Sequence, residues 1–407
     1  MTAGRALAAL SAAALAIVPV PPLPAQNKPD DEVRKQAAAD PFTRGDAAAM
    51  AKAGIVAFGP LQWADHKTTD DIDHVLGGNR IIWLETAHLR LGCDLKATSL
   101  PADQSQKKAV LAELAAMHDA LPAFPEKASR LEPWLRAHLF ARRAEQAYAA
   151  FQQLVGITDA TWKRTGDHPG EGQYLGQQDK FLLLLFQKKA DLARYFERFC
   201  NLQREEPSRF QHPDTRQLVA VICCEGFETL DDPGLHRYAV YLLMQNFVDG
   251  YRGFFFEVPL WFEEGLAHWY SRRIESDFVT LRQKPGEALN REKMNLWPQK
   301  VRQRIEHQEM LIPFATVTGW SKWEDMGVQE HLQSWSRVDW LMSRGSTEVG
   351  RFIDELKKLP PMRGDQPLDK ATINSKQDQL LQQLWHLDAG SFDEQWRAWV
   401  LDNYPKK

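Results

Sequence analysis

The spacing of apolar residues along the chain changes period several times, and each change predicts an element. After Ile81-Ile82, apolar and polar positions alternate from Trp83 onward, predicting one strand over 80–95 that stops by Leu100-Pro101. Val110, Leu111, Leu114 and Met117 then recur at three and four residues, an amphipathic helix over 105–121 ended by Pro122 and Pro125. A longer helix follows over about 130–155, with Leu135, Leu139, Ala144, Ala147, Phe151 and Leu154 as its stripe and Gly156 closing it. Glycines and His168-Pro169 make 165–178 a loop.

The run Phe181–Phe186 is wholly apolar, which suits a central strand. A helix is expected over 190–200 and a second buried strand over 217–223. Asp232-Pro233 supplies a cap and a first-turn proline for a helix through His236, Val240, Leu243 and Phe247 to Gly250. Pro259 opens the next helix, which carries Glu263, Glu264 and His268 among Trp, Phe and Leu. From Gln299 onward the pattern is mostly helical, notably over 328–344, 348–359 and 377–387, and Ser391 caps a last helix to Tyr404 that turns Trp396 and Trp399 inward. The expected class is α+β, a mixed sheet with helices to about 230 followed by a mostly helical C-terminal lobe, with a cleft between them.

Composition adjusts this picture at the ends and surface. The chain has 407 residues and a formal charge of −4, which argues against a general nucleic-acid binder. Arg5, an apolar core of about 15 residues and Pro-Val-Pro-Pro-Leu-Pro-Ala-Gln read as a secretory signal cut after Ala25, so residues 1–25 are expected to be removed and the protein secreted or periplasmic. That core is short of the roughly 20 residues needed to span a bilayer, and no stable membrane span is expected after signal removal. Residues 26–79 are expected to be linker or poorly ordered, and 80–407 one domain. In an oxidising compartment Cys93, Cys200, Cys223 and Cys224 could form one or two disulfides, with adjacent Cys223 and Cys224 on opposite faces of a strand.

Chemistry is concentrated in the segment Pro259–Tyr270, because carboxylates among aromatic side chains need a cation, a metal or a hydrogen-bond donor. His236, on the preceding helix, is the candidate to meet Glu264. Glu225 and Glu228 flank a loop and are expected to be solvated. The fourteen tryptophans are expected in the core at helical spacing, with a ligand groove as the alternative. No Gly-rich phosphate loop and no nucleophile elbow are present.

Pro259-x-Trp261-Phe262-x-Glu264-Gly265-x-Ala267 resembles the second-helix motif of the gluzincins, the peptidase MA-like metallopeptidases. There two histidines one turn apart on a first helix, with a Glu between them as general base, share a zinc ion with the Glu of the second helix. The resemblance implies a zincin-like fold over roughly 80–404, with His236 as first ligand and Glu264 as third. It also implies a departure, because His236-Arg237-Tyr238-Ala239-Val240 stands where H-E-x-x-H is expected. Val240 offers no ligand, and Arg237 removes the base and adds a fixed cation. The expectation is a catalytically inactive, secreted pseudopeptidase that serves as a binding or structural module. It would hold no cofactor and accommodate an unknown protein or peptide in its cleft, with Arg237 pairing Glu264 in place of the metal. Arg237 in solvent and Glu264 on backbone is the competing arrangement. His268 is expected to hydrogen-bond near the site, and His331 is a weaker candidate above it. The alternative is an active metal-dependent hydrolase using zinc on His236, Glu264 and His268 or His331.

Overall fold

The computed structural model describes residues 35–64, 67–78, 81–162, 170, 172–213, 215–225, 231–253, 258–275, 296–320, 326–359 and 368–406. Helix α1 (Ala47–Ala53), strand β1 (Ala57–Phe58) and helix α2 (Thr69–Val75) occupy a stretch where linker is expected. The hairpin β2 (Ile82–Glu85) and β3 (Leu89–Cys93) comes next, then α3 (Gln104–Ala120) and α4 (Pro133–Val155). The sheet is completed by β4 (Phe181–Phe186), β5 (Ser208–Gln211) and β6 (Leu218–Cys223), with α5 (Lys189–Cys200) between β4 and β5. The rest is helical: α6 (Asp232–Gly250), α7 (Leu260–Arg272), α8 (Trp297–His307), α9 (Phe314–Val317), α10 (Val328–Arg344), α11 (Ser346–Leu356), α12 (Lys370–Trp385) and α13 (Ala389–Asn403).

The six strands lie in the order β1-β2-β3-β4-β6-β5. The central pairings β3–β4 and β4–β6 are parallel, and the outer ones are antiparallel. The mixed sheet with a helical second half is therefore the architecture, as its sequence pattern predicts. β4 has no polar position because both its faces are covered. Leu182, Leu184 and Phe186 meet Tyr195 and Phe196 of α5, while Phe181, Leu183 and Leu185 join the core under α4 and α6. That second core runs without a break into α7–α13, so apolar packing fills the space between sheet and helices.

Three expectations change. The alternation over 80–95 is two strands, because Thr86 turns the chain: its N–H donates to Leu89 O at 2.9 Å and its hydroxyl accepts from Leu89 N at 3.2 Å. Gly92 sits directly across from Trp83, where a Cβ would stand 2.4 Å from the indole ring. Residues 47–64 and 67–75 are structured because β1 pairs with β2 and Leu61, Trp63 and Ile72 are buried against the second face of the sheet. The four cysteines are free and buried, with Cys223 and Cys224 in opposite cores as strand geometry requires. Residues 1–25 and Glu228 lie outside the described residues. Among the described residues no helix is long and apolar enough to cross a membrane.

Two polar clusters tie the layers together. Asp231, one residue earlier than expected, caps α6 by accepting from Gly234 N at 2.9 Å. That leaves the buried Asp232 to receive Arg136 at 3.2 Å and Arg143 at 2.7 Å, while Arg143 also holds Glu113 of α3 at 2.6 Å. In the second cluster His88 bridges Glu145 of α4 at 2.7 Å and Asp159 at 2.9 Å. Burial alone would lower the His88 pKa, but hydrogen bonding and charge from Glu145 and then Asp159 outweigh it, and the net direction is upward. A group raised on folding contributes its stability fully below its unfolded value near 6.5, and loses it as pH rises through the folded value. The stability advantage of the wild type over His88→Gln is thus expected to be greatest below about pH 6.5 and to shrink as pH rises above it. Urea midpoints on both sides of that pH check it, and a constant difference would show that the bridge does not titrate.

Candidate functional site

Helix α7 is buried along nearly its whole length, so each of its polar side chains must find a partner inside the protein. The two adjacent glutamates solve this separately. Glu263 meets Arg209 of edge strand β5 at 2.7 Å, and Arg209 also holds Asp249 of α6 at 2.5 Å. Two carboxylates thus share one guanidinium. Burial and then Asp249 push the Glu263 pKa well up, against the pull of Arg209.

Glu264, fully buried, faces α6 and α10. One carboxyl oxygen accepts from the Tyr241 hydroxyl at 2.6 Å, and the other accepts a short hydrogen bond from Gln245 Nε2. His331 Nδ1 of α10 stands 3.3 Å from the Tyr241-bonded oxygen, and His268 Nε2, one turn along α7, stands 3.9 Å from it. The two imidazoles meet each other at 3.1 Å. Burial first, then His331, Arg272 and Arg237, push the His268 pKa well down, so its ring is neutral at ordinary pH.

What brings α10 so close is Gly265. A Cβ there would lie 2.5 Å from Ser334 O and 2.6 Å from Val338 Cγ2, so the helix backbones meet where a side chain would separate them. The E-G step therefore serves packing as well as the carboxyl.

His236 does not join this cluster. Five residues before Tyr241, it is displaced by about 140° around the axis and roughly 7.5 Å along it, which points it away from α7. Its ring instead stands edge-on to Phe140 of α4 at 6.5 Å. Burial and Arg143 push its pKa well down. Arg237 does not bridge to Glu264 either; it pairs with Glu275 at 3.0 Å, just past the end of α7. Burial pulls its guanidinium down to about 9 against the charge of Glu275, so it remains protonated at neutral pH. Val240 is packed in the core.

The residues that occupy the two positions one turn apart on the facing helix are thus Tyr241 and Gln245, with Leu242 directly after the first. Each stands five residues along α6 from the residue expected to face Glu264, His236 or Val240. Two signs of this contact are in the sequence: Gln245 is a polar residue that directly follows the apolar run from Val240 to Met244, and Tyr241 precedes it by one turn. Arg209, the partner of Glu263, and Asp249, which shares that guanidinium, have no comparable signal. A phenol and a carboxamide in place of two imidazoles do not fit the zinc position implied by the resemblance, which calls for nitrogen donors from this helix.

The remaining candidates are structural. Glu225 accepts from Lys189 N at 3.2 Å at the start of α5. Trp261, Trp297 and Trp396 are fully buried, and Arg272 lies over Trp297 and Trp335 at 4.4 and 4.9 Å, so these tryptophans form core and not a groove. No family model and no curated protein matches this chain.

Proposed function

We propose that this chain is a zincin-like protein related to the gluzincins that has given up hydrolysis and serves as a binding or structural module outside the cytoplasm. The observation that carries this reading is the bonding of Glu264. Facing the carboxyl that would be the third zinc ligand, α6 presents Tyr241 and Gln245, a phenol and a carboxamide that supply no imidazole for a catalytic zinc. Leu242, at the place of the general base, has no proton to exchange. The active-hydrolase alternative needs an open coordination position reached by substrate, whereas Glu264, His268 and His331 are at most 1% exposed. The N-terminal signal pattern supports an extracytoplasmic location, and the ligand class stays a protein or peptide.

The test is peptide cleavage by the purified full-length protein, alone and with added zinc. No chelator-sensitive cleavage is expected. The variant Tyr241→His with Leu242→Glu and Gln245→His is expected to bind zinc more tightly than the wild type, through its α6 histidines, whereas Arg237→Glu with Val240→His is expected not to. Chelator-sensitive cleavage by the wild type would overturn the proposal.

A further inference from the structure

The one group of three possible metal-binding side chains among the described residues is Glu264, His268 and His331, whose ligand atoms lie within 4.8 Å of one another. We propose that these three bind a divalent transition metal, as a structural ion held in a different place from the one the α6 register would dictate. The site draws on α7 and α10 and uses no α6 side chain as a ligand.

The geometry fits. A tetrahedral ion with bonds of about 2.0–2.1 Å holds its ligand atoms about 3.3 Å apart. The observed separations are 3.1 Å between the imidazole nitrogens, 3.3 Å from His331 to Glu264 and 3.9 Å from His268 to Glu264. Two imidazoles and a carboxylate form the mixed nitrogen and oxygen set that zinc and cobalt accept, with one position left for a small donor. The carboxyl is already aimed: Tyr241 and Gln245 on α6 each hold one of its oxygens, the outer support that ligating carboxylates characteristically have. Of the two cations whose charge acts on His268, Arg272 is turned onto two indole faces and Arg237 is paired with Glu275. Burial keeps substrate away, so metal is expected here without hydrolysis.

Metal analysis of the full-length protein purified without a polyhistidine tag is expected to give about one equivalent of zinc. After chelator treatment, cobalt titration is expected to produce the visible absorption of a four-coordinate ion at one equivalent. His268→Asn and His331→Asn are each expected to lower affinity at least tenfold, Tyr241→Phe by roughly tenfold through the orientation of Glu264, and His236→Asn not at all. Circular dichroism of the variants separates lost ligation from lost folding. If the wild type takes up neither zinc nor cobalt, or if uptake is unchanged in both histidine variants, the site is overturned. Peptide cleavage by the metal-loaded protein would overturn the non-catalytic reading and leave the site standing, so the two fail independently.

Discussion

Gly265→Ala is expected to destabilise the protein by about 3 kcal/mol, although alanine is the better helix former by roughly 1 kcal/mol. The added methyl would stand 2.5 Å from Ser334 O, a backbone atom within α10 that cannot swing aside as a side-chain tip can. Relief requires α7 and α10 to separate, and that opens the core around Leu266, Leu332 and Val338. It also draws His331 away from Glu264, so the lost packing and the lost polar contact add. Gly390→Ala is the control: its Cβ would meet only Asp388 Oδ1, at 3.4 Å near the exposed start of α13, and a change within about 0.5 kcal/mol is expected. Urea unfolding of both variants decides it. If Gly265→Ala is as stable as the control, the close approach of the two helices is wrong.

That glycine also shows where sequence is informative. The segment 259–270 declares its importance because charge inside an aromatic run has no cheap explanation, and both glutamates are indeed buried with partners. The central strands are equally legible, since Phe181–Phe186 and Leu218–Cys223 are apolar at every position and a strand covered on both faces needs nothing else. The hairpin at Thr86 was harder to read. A strand that turns and re-enters the same sheet preserves the inside–outside alternation, and the turn there is closed by a threonine and not by Gly, Asn or Pro. The early segment 47–75 reads as linker because its elements are two to seven residues long, too short for periodicity, and are held by pairing with distant β2 and by packing on the sheet.

The site was half legible for a related reason. Glu264 was found from its own neighbours in sequence, but its partners come from 19 and 23 residues before it and 67 after it. Choosing among them from sequence means choosing a helix register, and histidine is a stronger lure than tyrosine or glutamine because it is the commoner ligand. The helix geometry corrects this: from His236 to Tyr241 the face rotates by about 140°, so one of the two can meet α7 and the other cannot. Sequence points to His268 beside the carboxyl and, more weakly, to His331 above it, and both stand within 4 Å of it, at 3.9 and 3.3 Å. Arg209 was invisible because its strand, four residues on the sheet edge, lacks an alternating pattern of its own.

Removing the carboxyl is expected to cost about as much as any single change in the protein. Glu264→Ala leaves the Tyr241 hydroxyl and the Gln245 amide without their acceptor in a fully buried setting, and opens a void between α6 and α7. Stranding two donors costs about 1–3 kcal/mol each, and together with the cavity a loss of about 3–5 kcal/mol is expected. The same reasoning predicts a rescue. Once Tyr241→Phe and Gln245→Leu remove the stranded donors, the further change Glu264→Ala should cost at least about 1 kcal/mol less than it does in the wild type. A salt bridge between Arg237 and Glu264 would predict something else, namely that Arg237→Met rescues Glu264→Ala. Because Arg237 is held by Glu275, that pair of changes is expected to be additive. Chemical denaturation of the complete set of single and combined variants distinguishes the two, and it tests the hydrogen-bonded Glu264 on which the non-catalytic reading depends without any assay of activity.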